Sequence, residues 1–368
     1  MRRTLRATAI HAALGMMLAG SVATAQTGPE VVAAAPSKPY RFRHSGMVAP
    51  AMLDGLPRTV VKSYGENELD LSAGYSRENE LLTVYVFRNV SGGVPVWFDR
   101  ARFAIEQRSA EYGTITAAVA PAAFTPPGQS SASGLMGAWS ISKPPYRGTA
   151  LAFVPIGEWY VKVRYSSAIH DGAALAARLP AVLAALTWPK RIAAAPATAP
   201  VADCATPLSF PTMAEPVRDA KALGMAAITS GVVATAAMQE RAKAGAVTWC
   251  RDPVPAPVGG LYRANGATDA YLLALSDAGR GIGVAPDGIG EAVGKSEGKT
   301  VRQWNVALYE LNKVINFPPM TALPRPDQLV DLLRGPAMSS ASTWGRKTQI
   351  DINPAFLKDD NEKPSPTP

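Results

Sequence analysis

EWYVKVRYS, residues Glu158 to Ser166, decides how the first half of this chain is read. Trp159, Val161, Val163 and Tyr165 fall on one side of an extended chain, and Glu158, Tyr160, Lys162 and Arg164 on the other. This period of two marks a half-buried β-strand with a polar face. Working outward, MGAWSIS and TALAFVP precede it as two further strand candidates. A closing helix follows from about Gly172 to Trp188, with Asp171 as its N-cap and Pro180 placed to kink or split it.

Earlier still, RTVVKSY, ELDLSAGY and LLTVYVFR read as three strands. Gly65–Asn67 and Ser76–Asn79 separate them, and connections this short make antiparallel neighbours. LLTVYVFR carries apolar residues on both faces, as a strand covered on both sides does. A helix comes next. Pro95 suits its first turn, and Val94, Trp97, Phe98, Ala101 and Ile105 make one apolar face. PAAFTPPGQSSASG, Pro121 to Gly134, reads as a flexible stretch.

The first unit, residues 39–190, therefore runs three strands, helix, three strands, helix. In the WYVKVRYS strand and the terminal helix ending ALTWP it resembles the PsbP-like α/β sandwich. That resemblance implies an antiparallel sheet covered by helices, in a fold whose members include non-enzymatic accessory proteins. Fold alone does not fix function.

RIAAAPATAPVAD, Arg191 to Asp203, reads as a semi-extended spacer. The second unit, residues 204–353, opens with an Ala-rich helical region from about Met213 to Ala244, interrupted by Gly224 and Gly231. Five strands follow in AVTWCRD, GGLYRA, AYLLALSD, RGIGVAP and VRQWNVALYE. Asn265-Gly266 signals a hairpin, Asp277–Gly279 and Pro286–Gly288 give further turns, and a longer loop, DGIGEAVGKSEGKT, precedes the fifth strand. PDQLVDLLRG, Pro326 to Gly335, is a short helix with a glycine stop. The expected fold class is α+β: two domains, each an antiparallel sheet with helical cover, joined by an Ala/Pro-rich linker. Residues 26–38 and the tail 354–368 read as loose.

The chain starts MRRTLRATAIHAALGMMLAGSVATAQ. A basic start, a short apolar run and small residues at Ala23 to Ala25 make a secretory signal over residues 1–25, with cleavage expected between Ala25 and Gln26. No later stretch is apolar and long enough to span a bilayer, so the mature chain is expected to be soluble and periplasmic or secreted. Export places Cys204 and Cys250, the only two cysteines, in an oxidising space, where a disulfide is the expected state. It would close a loop of 46 positions, worth about 4 kcal/mol by chain entropy. A zinc site lacks neighbouring histidines, and a catalytic cysteine would need His44 or His170 from the other half.

The charge of +8 falls to +5 once Arg2, Arg3 and Arg6 leave with the leader. That mild excess fits solubility and attraction to an anionic envelope surface, and does not mark a nucleic-acid binder. Motifs stop short. IGEAVGKS, Ile289 to Ser296, has Ile where a phosphate loop needs its first glycine. SISK (Ser140–Lys143) and SEGK (Ser296–Lys299) match a short serine-enzyme pattern without its helix start or a KTG element, and no GxSxG occurs. His44 and His170 read as solvated or capping. Glu66, Glu68, Asp70, Glu78 and Glu80 read as solvated charges beside turns, and Trp97, Trp139 and Trp159 as core. Asn89–Ser91 fits a glycosylation acceptor. No catalytic, cofactor or metal residue is assigned. The leading expectation is a non-catalytic binding or scaffolding protein whose partner is an envelope protein or surface. A secreted hydrolase with a dispersed active site is the alternative, and a small-ligand carrier a third reading.

Overall fold

A computed structural model describes residues 28–219, 222–229, 245–256, 258–296 and 302–357. The expected leader over 1–25, its cleavage point at Ala25 and Gln26, and Gly231 lie outside the described residues.

The first region opens with four short strands: β1 (Glu30–Val31), β2 (Tyr40–Arg41), β3 (Val48–Ala49) and β4 (Met52–Leu53). Residues 26–38, expected to be loose, are anchored from Glu30 onward. β1 pairs with β5 (Leu56–Ser63), and buried Arg58 donates to the carbonyls of Ala35 and Lys38 at 2.7 and 2.8 Å. β6 (Asp70–Arg77), β7 (Glu80–Arg88) and helix α1 (Val94–Glu106) form where the pattern places them. After the short helix α2 (Ser109–Tyr112) come β8 (Ile115–Phe124), β9 (Gly134–Ile141), β10 (Gly148–Ile156) and β11 (Trp159–Ser167), then α3 (Gly172–Ala185). The sheet order is β1-β5-β6-β7-β11-β10-β9-β8, with antiparallel neighbours.

Three readings are corrected here. The stretch taken as flexible from Pro121 begins inside β8. β8 is an edge strand with two register shifts and almost no buried side chain, so burial imposes no alternation on ITAAVAPAAF. Pro180 does not split α3, whose Leu175, Leu179, Val182 and Leu183 bury against the sheet. That packing holds the helix across the hydrogen bond proline cannot make. Gly172 lets α3 start hard against β9, since a Cβ there would meet the Trp139 backbone at 2.6 Å. Third, the polar face of β11 is not solvated: Tyr160 and Lys162 are buried on it.

The second region is a nine-stranded sheet, β12 (Ala202–Asp203), β13 (Trp249–Arg251), β14 (Gly260–Ala264), β15 (Tyr271–Ala274), β16 (Gly281–Pro286), β17 (Trp304–Tyr309), β18 (Lys313–Met320), β19 (Ser339–Ser342) and β20 (Ile350–Ile352), paired in that order. Only β12–β13 is parallel. The five expected strands are β13 to β17. Asn265 and Gly266 take φ of 51° and 68°, and Ala267 N–H donates to Ala264 O, the geometry of a tight type I′ turn. β18 escaped notice because of Pro318-Pro319. Those prolines lie beyond the end of the β19 pairing and beside a bulge against β17, where a missing N–H costs no ladder bond.

Helical cover is minor. The helix α4 occupies 222–229 with Gly224 inside it, while residues 213–219, expected to be helical, are not. Pro216 bridges to Met320 and Val217 N–H donates to Pro319 O, so sheet pairing overrides alanine propensity. The expected loop after Asp287 holds helix α5 (Gly288–Ser296), capped by Asp287, which accepts from Gly290 N–H at 3.1 Å. Helix α6 (Pro326–Leu332) ends as expected at a turn closed by Gly335. The tail expected to be loose from Pro354 starts with a 3-10 turn, Pro354–Phe356, whose Phe356 packs beneath α4.

The two sheet regions share a core. α1 lies on the face of the first sheet opposite α3, and Trp97, Phe98, Phe153 and Tyr160 pack with Tyr262 and Leu272 of the second. The Ala/Pro linker does not float. Ser131 donates to Ala195 O, and Thr198 N–H to Ala132 O at 2.9 Å. Charge pairs cross the junction. Lys162 donates to Asp277 at 2.8 Å and lies over the Tyr85 ring, while Arg280 joins Asp70 at 3.2 Å to Glu310 at 3.0 Å. Asp70 and Glu80 are thus not the solvated charges expected beside turns.

Burial pushes the Asp70 carboxyl above its ordinary value, against the pull of Arg280 and Lys162. The folded state holds that proton more tightly than the unfolded state does. Its contribution to stability is therefore present below the unfolded carboxylate range and is lost as pH rises through the raised folded-state pKa. Asp70→Asn is expected to leave the urea midpoint at pH 7 unchanged or raised. A loss above about 1 kcal/mol would show that the ion pair outweighs the desolvation.

Candidate functional site

An apolar groove of about 490 Å³ lies in the second region. Its floor is the end of β18, where Pro318 and Met320 turn their side chains away from the ladder that β19 has already left. One wall is the segment Ala214–Pro216, locked to β18 by the Pro216–Met320 bridge and by Thr321 N–H donating to Glu215 O at 2.9 Å. The other wall is α6 and the turn after it, with Leu332 and Pro336, and Phe356 closes one end. Gln328 ties the walls together, its Nε2 donating to Ala214 O at 2.7 Å. Asp331 sits at the rim, paired with Arg334 at 2.9 Å, with both side chains largely solvated. The volume suits a small ligand or a few side chains of an extended segment. Chemically the groove offers dispersion and apolar burial, with one amide and one screened carboxylate at its edge.

A second, smaller hollow of about 120 Å³ lies at the junction between α1 and β14 and contains two acids, Asp99 and Asp252. Both are occupied. Asp99 accepts from Tyr262 Oη at 2.8 Å, from Arg102 at 2.7 Å and from Arg251 at 3.3 Å. Burial first, and the Asp99 charge second, push the Tyr262 hydroxyl up, so it stays a donor. Asp252 accepts from the backbone N–H groups of Leu208 and Val254 and pairs with Arg263 at 3.0 Å. Each carboxylate holds backbone N–H groups, a tyrosine hydroxyl or neighbouring cations.

The cysteines form the expected disulfide, joining Cys204 just after β12 to Cys250 in β13. Other singled-out residues are dispersed. His44 is exposed, as expected, and its ring also stacks on Trp159 and meets Trp344 edge-on at 4.9 Å. Asp171 caps α3, accepting from Ala174 N–H at 2.9 Å, and leaves His170 without a carboxylate partner from it. Glu80 accepts from Tyr165, Ser167 and the Ile169 N–H, a structural knot at the end of β11. Lys143 of SISK donates to Ala110 O, away from Ser140. IGEAVGKS lies in α5, and residues 297–299 of SEGK are outside the described residues. The acceptor pattern at Asn89–Ser91 is packed into the junction, where buried Ser91 donates to Gly279 O. Trp97, Trp139 and Trp159 are core.

The groove residues carried no motif. Their only signal in the sequence was proline at Pro216, Pro318 and Pro336, spread over more than a hundred positions. Comparison with protein-family models, with curated proteins and with solved structures finds no match in any of the three.

Proposed function

We propose that the protein is an exported, non-catalytic binding or scaffolding protein of the cell envelope, and that the groove between Pro318–Met320 and α6 takes the apolar part of its ligand. The observation carrying this reading is a division of labour. The acids that converge, Asp99 and Asp252, are consumed by arginines, a tyrosine and backbone N–H groups. The 490 Å³ groove is walled instead by proline, methionine, leucine and phenylalanine. Active sites keep reactive groups poised in a cleft, whereas binding sites need shape and apolar surface.

The disulfide supports export, since such bonds persist in oxidising compartments, and the leader over 1–25 points the same way. Among the described residues, no helix is long and apolar enough to cross a membrane. The likeness of residues 39–190 to the PsbP-like sandwich, with its accessory proteins, adds weight to a non-enzymatic role. In this reading the linker 191–203 divides the chain into a supporting unit, 39–190, and a ligand-bearing unit, 204–353.

The test is capture from an envelope fraction by the mature chain, alongside Leu332→Glu in the groove and Thr116→Glu on the far edge strand. The expected result is a bound component lost with Leu332→Glu and kept with Thr116→Glu. Equal capture by all three chains would contradict the groove as the site.

A further inference from the structure

The bridge lies in an asymmetric setting. Cys204 is buried, whereas Cys250 is partly exposed on β13, whose outer neighbour β12 is only two residues long. Arg263, almost wholly buried, points Nε at the Cys204 sulfur from 3.2 Å. The same guanidinium is fixed by other bonds, to Ala267 O at 3.1 Å and to Thr206 O. Its carboxylate partner, Asp252, is held independently by the N–H groups of Leu208 and Val254, so the cation is shared between acid and sulfur. No comparable group is described at the Cys250 sulfur. The remaining charges nearby, Arg251 and Asp203, pair with each other at 2.8 Å.

Thiol–disulfide exchange favours the route whose departing sulfur is the better-stabilised thiolate and whose attacked sulfur can be reached. We propose that Cys204–Cys250 is an exchangeable bridge with a fixed polarity: an incoming protein dithiol attacks Cys250 Sγ, and Cys204 departs as a thiolate held by Arg263. In the first step the partner thiolate forms a sulfur–sulfur bond to Cys250, and the Cys204–Cys250 bond breaks with its electron pair going to Cys204. In the second, the partner's other thiolate attacks its own sulfur in the mixed disulfide and releases the Cys250 thiolate. Two electrons pass to the bridge, and the partner leaves as a disulfide. Run backward, the same steps install the bond.

The backbone bonds that hold the two cysteines side by side do not run through the bridge. β12 pairs with β13, and Cys204 N–H donates to Arg251 O at 2.9 Å. The product is a folded dithiol whose connection from linker to second sheet has lost its covalent tie. This polarity is independent of what the groove binds.

The test uses the intact oxidised chain and a thioredoxin-fold oxidoreductase whose resolving cysteine is replaced by serine, so that mixed disulfides accumulate. Rapid alkylation and peptide mapping then locate both sulfurs. Expected is the partner on Cys250 and the alkyl group on Cys204. The partner on Cys204, an even split, or no adduct would each overturn the proposal. In a second arm, Arg263→Gln combined with Asp252→Asn removes the cation without stranding its carboxylate. Reduction by dithiothreitol should slow about tenfold in that variant, and an unchanged rate would deny Arg263 its role. If the double variant does not fold, the mapping on the unaltered chain still decides.

Discussion

Asp99→Ala is expected to destabilise the protein by about 1–3 kcal/mol, because it leaves the buried Tyr262 hydroxyl without its acceptor. The Asp99 carboxylate is where α1 of the first region meets β14 of the second. It receives the hydroxyl of Tyr262, fully buried in the shared core, and the guanidinium groups of Arg102 and Arg251. Without it, the Tyr262 hydroxyl has lost its acceptor, while Arg102 keeps Glu106 at 2.6 Å and Arg251 keeps Asp203 at 2.8 Å. Asp99→Asn keeps an acceptor for Tyr262 and should cost less. Urea unfolding at pH 7 followed by far-UV and near-UV circular dichroism measures both. A double-mutant cycle with Tyr262→Phe should give a coupling above about 0.5 kcal/mol, as contacting residues do. A loss below about 1 kcal/mol for Asp99→Ala would mean that the junction opens to water and the charges are screened.

Trp97→Ala should be more severe, about 3–5 kcal/mol, through a different mechanism. Trp97 is completely buried, donates its indole N–H to Ser91 O at 2.6 Å, and packs in the cluster containing both Phe153 and Leu272. Its removal leaves a cavity between two sheets that cannot collapse without moving either, and it leaves Ser91 O short of a donor. Because the cluster belongs to both regions, the variant should unfold in one transition, with both circular dichroism signals moving together. Two separated transitions would show that the regions are held by the linker alone.

The strands were legible wherever one face is buried against apolar partners close in sequence. EWYVKVRYS gave its inner face correctly, since Trp159, Val161, Val163 and Tyr165 all enter the core. Its outer face misled, because what covers Lys162 is Asp277, more than a hundred residues away, and pattern reading assigns a lysine to water. β8 was invisible because its side chains are exposed on both faces, so ITAAVAPAAF has no period to read. β18 was hidden by two prolines whose harmlessness depends on where β19 stops. The disulfide was legible because two cysteines allow one pairing. The groove was not, because its walls come from residues 214–216, 318–320, 328–336 and 356, and apolar lining residues look like core until their neighbours are known.

The converging charges hold the fold together, and the proline-walled groove does the binding. A titration with the neutral apolar fluorophore N-phenyl-1-naphthylamine tests it most directly. The native chain should enhance the fluorescence and saturate at one probe per chain, and Leu332→Glu should abolish the rise under conditions where near-UV circular dichroism shows that the variant is still folded. No enhancement with the native chain, or the same enhancement with Leu332→Glu, would contradict it.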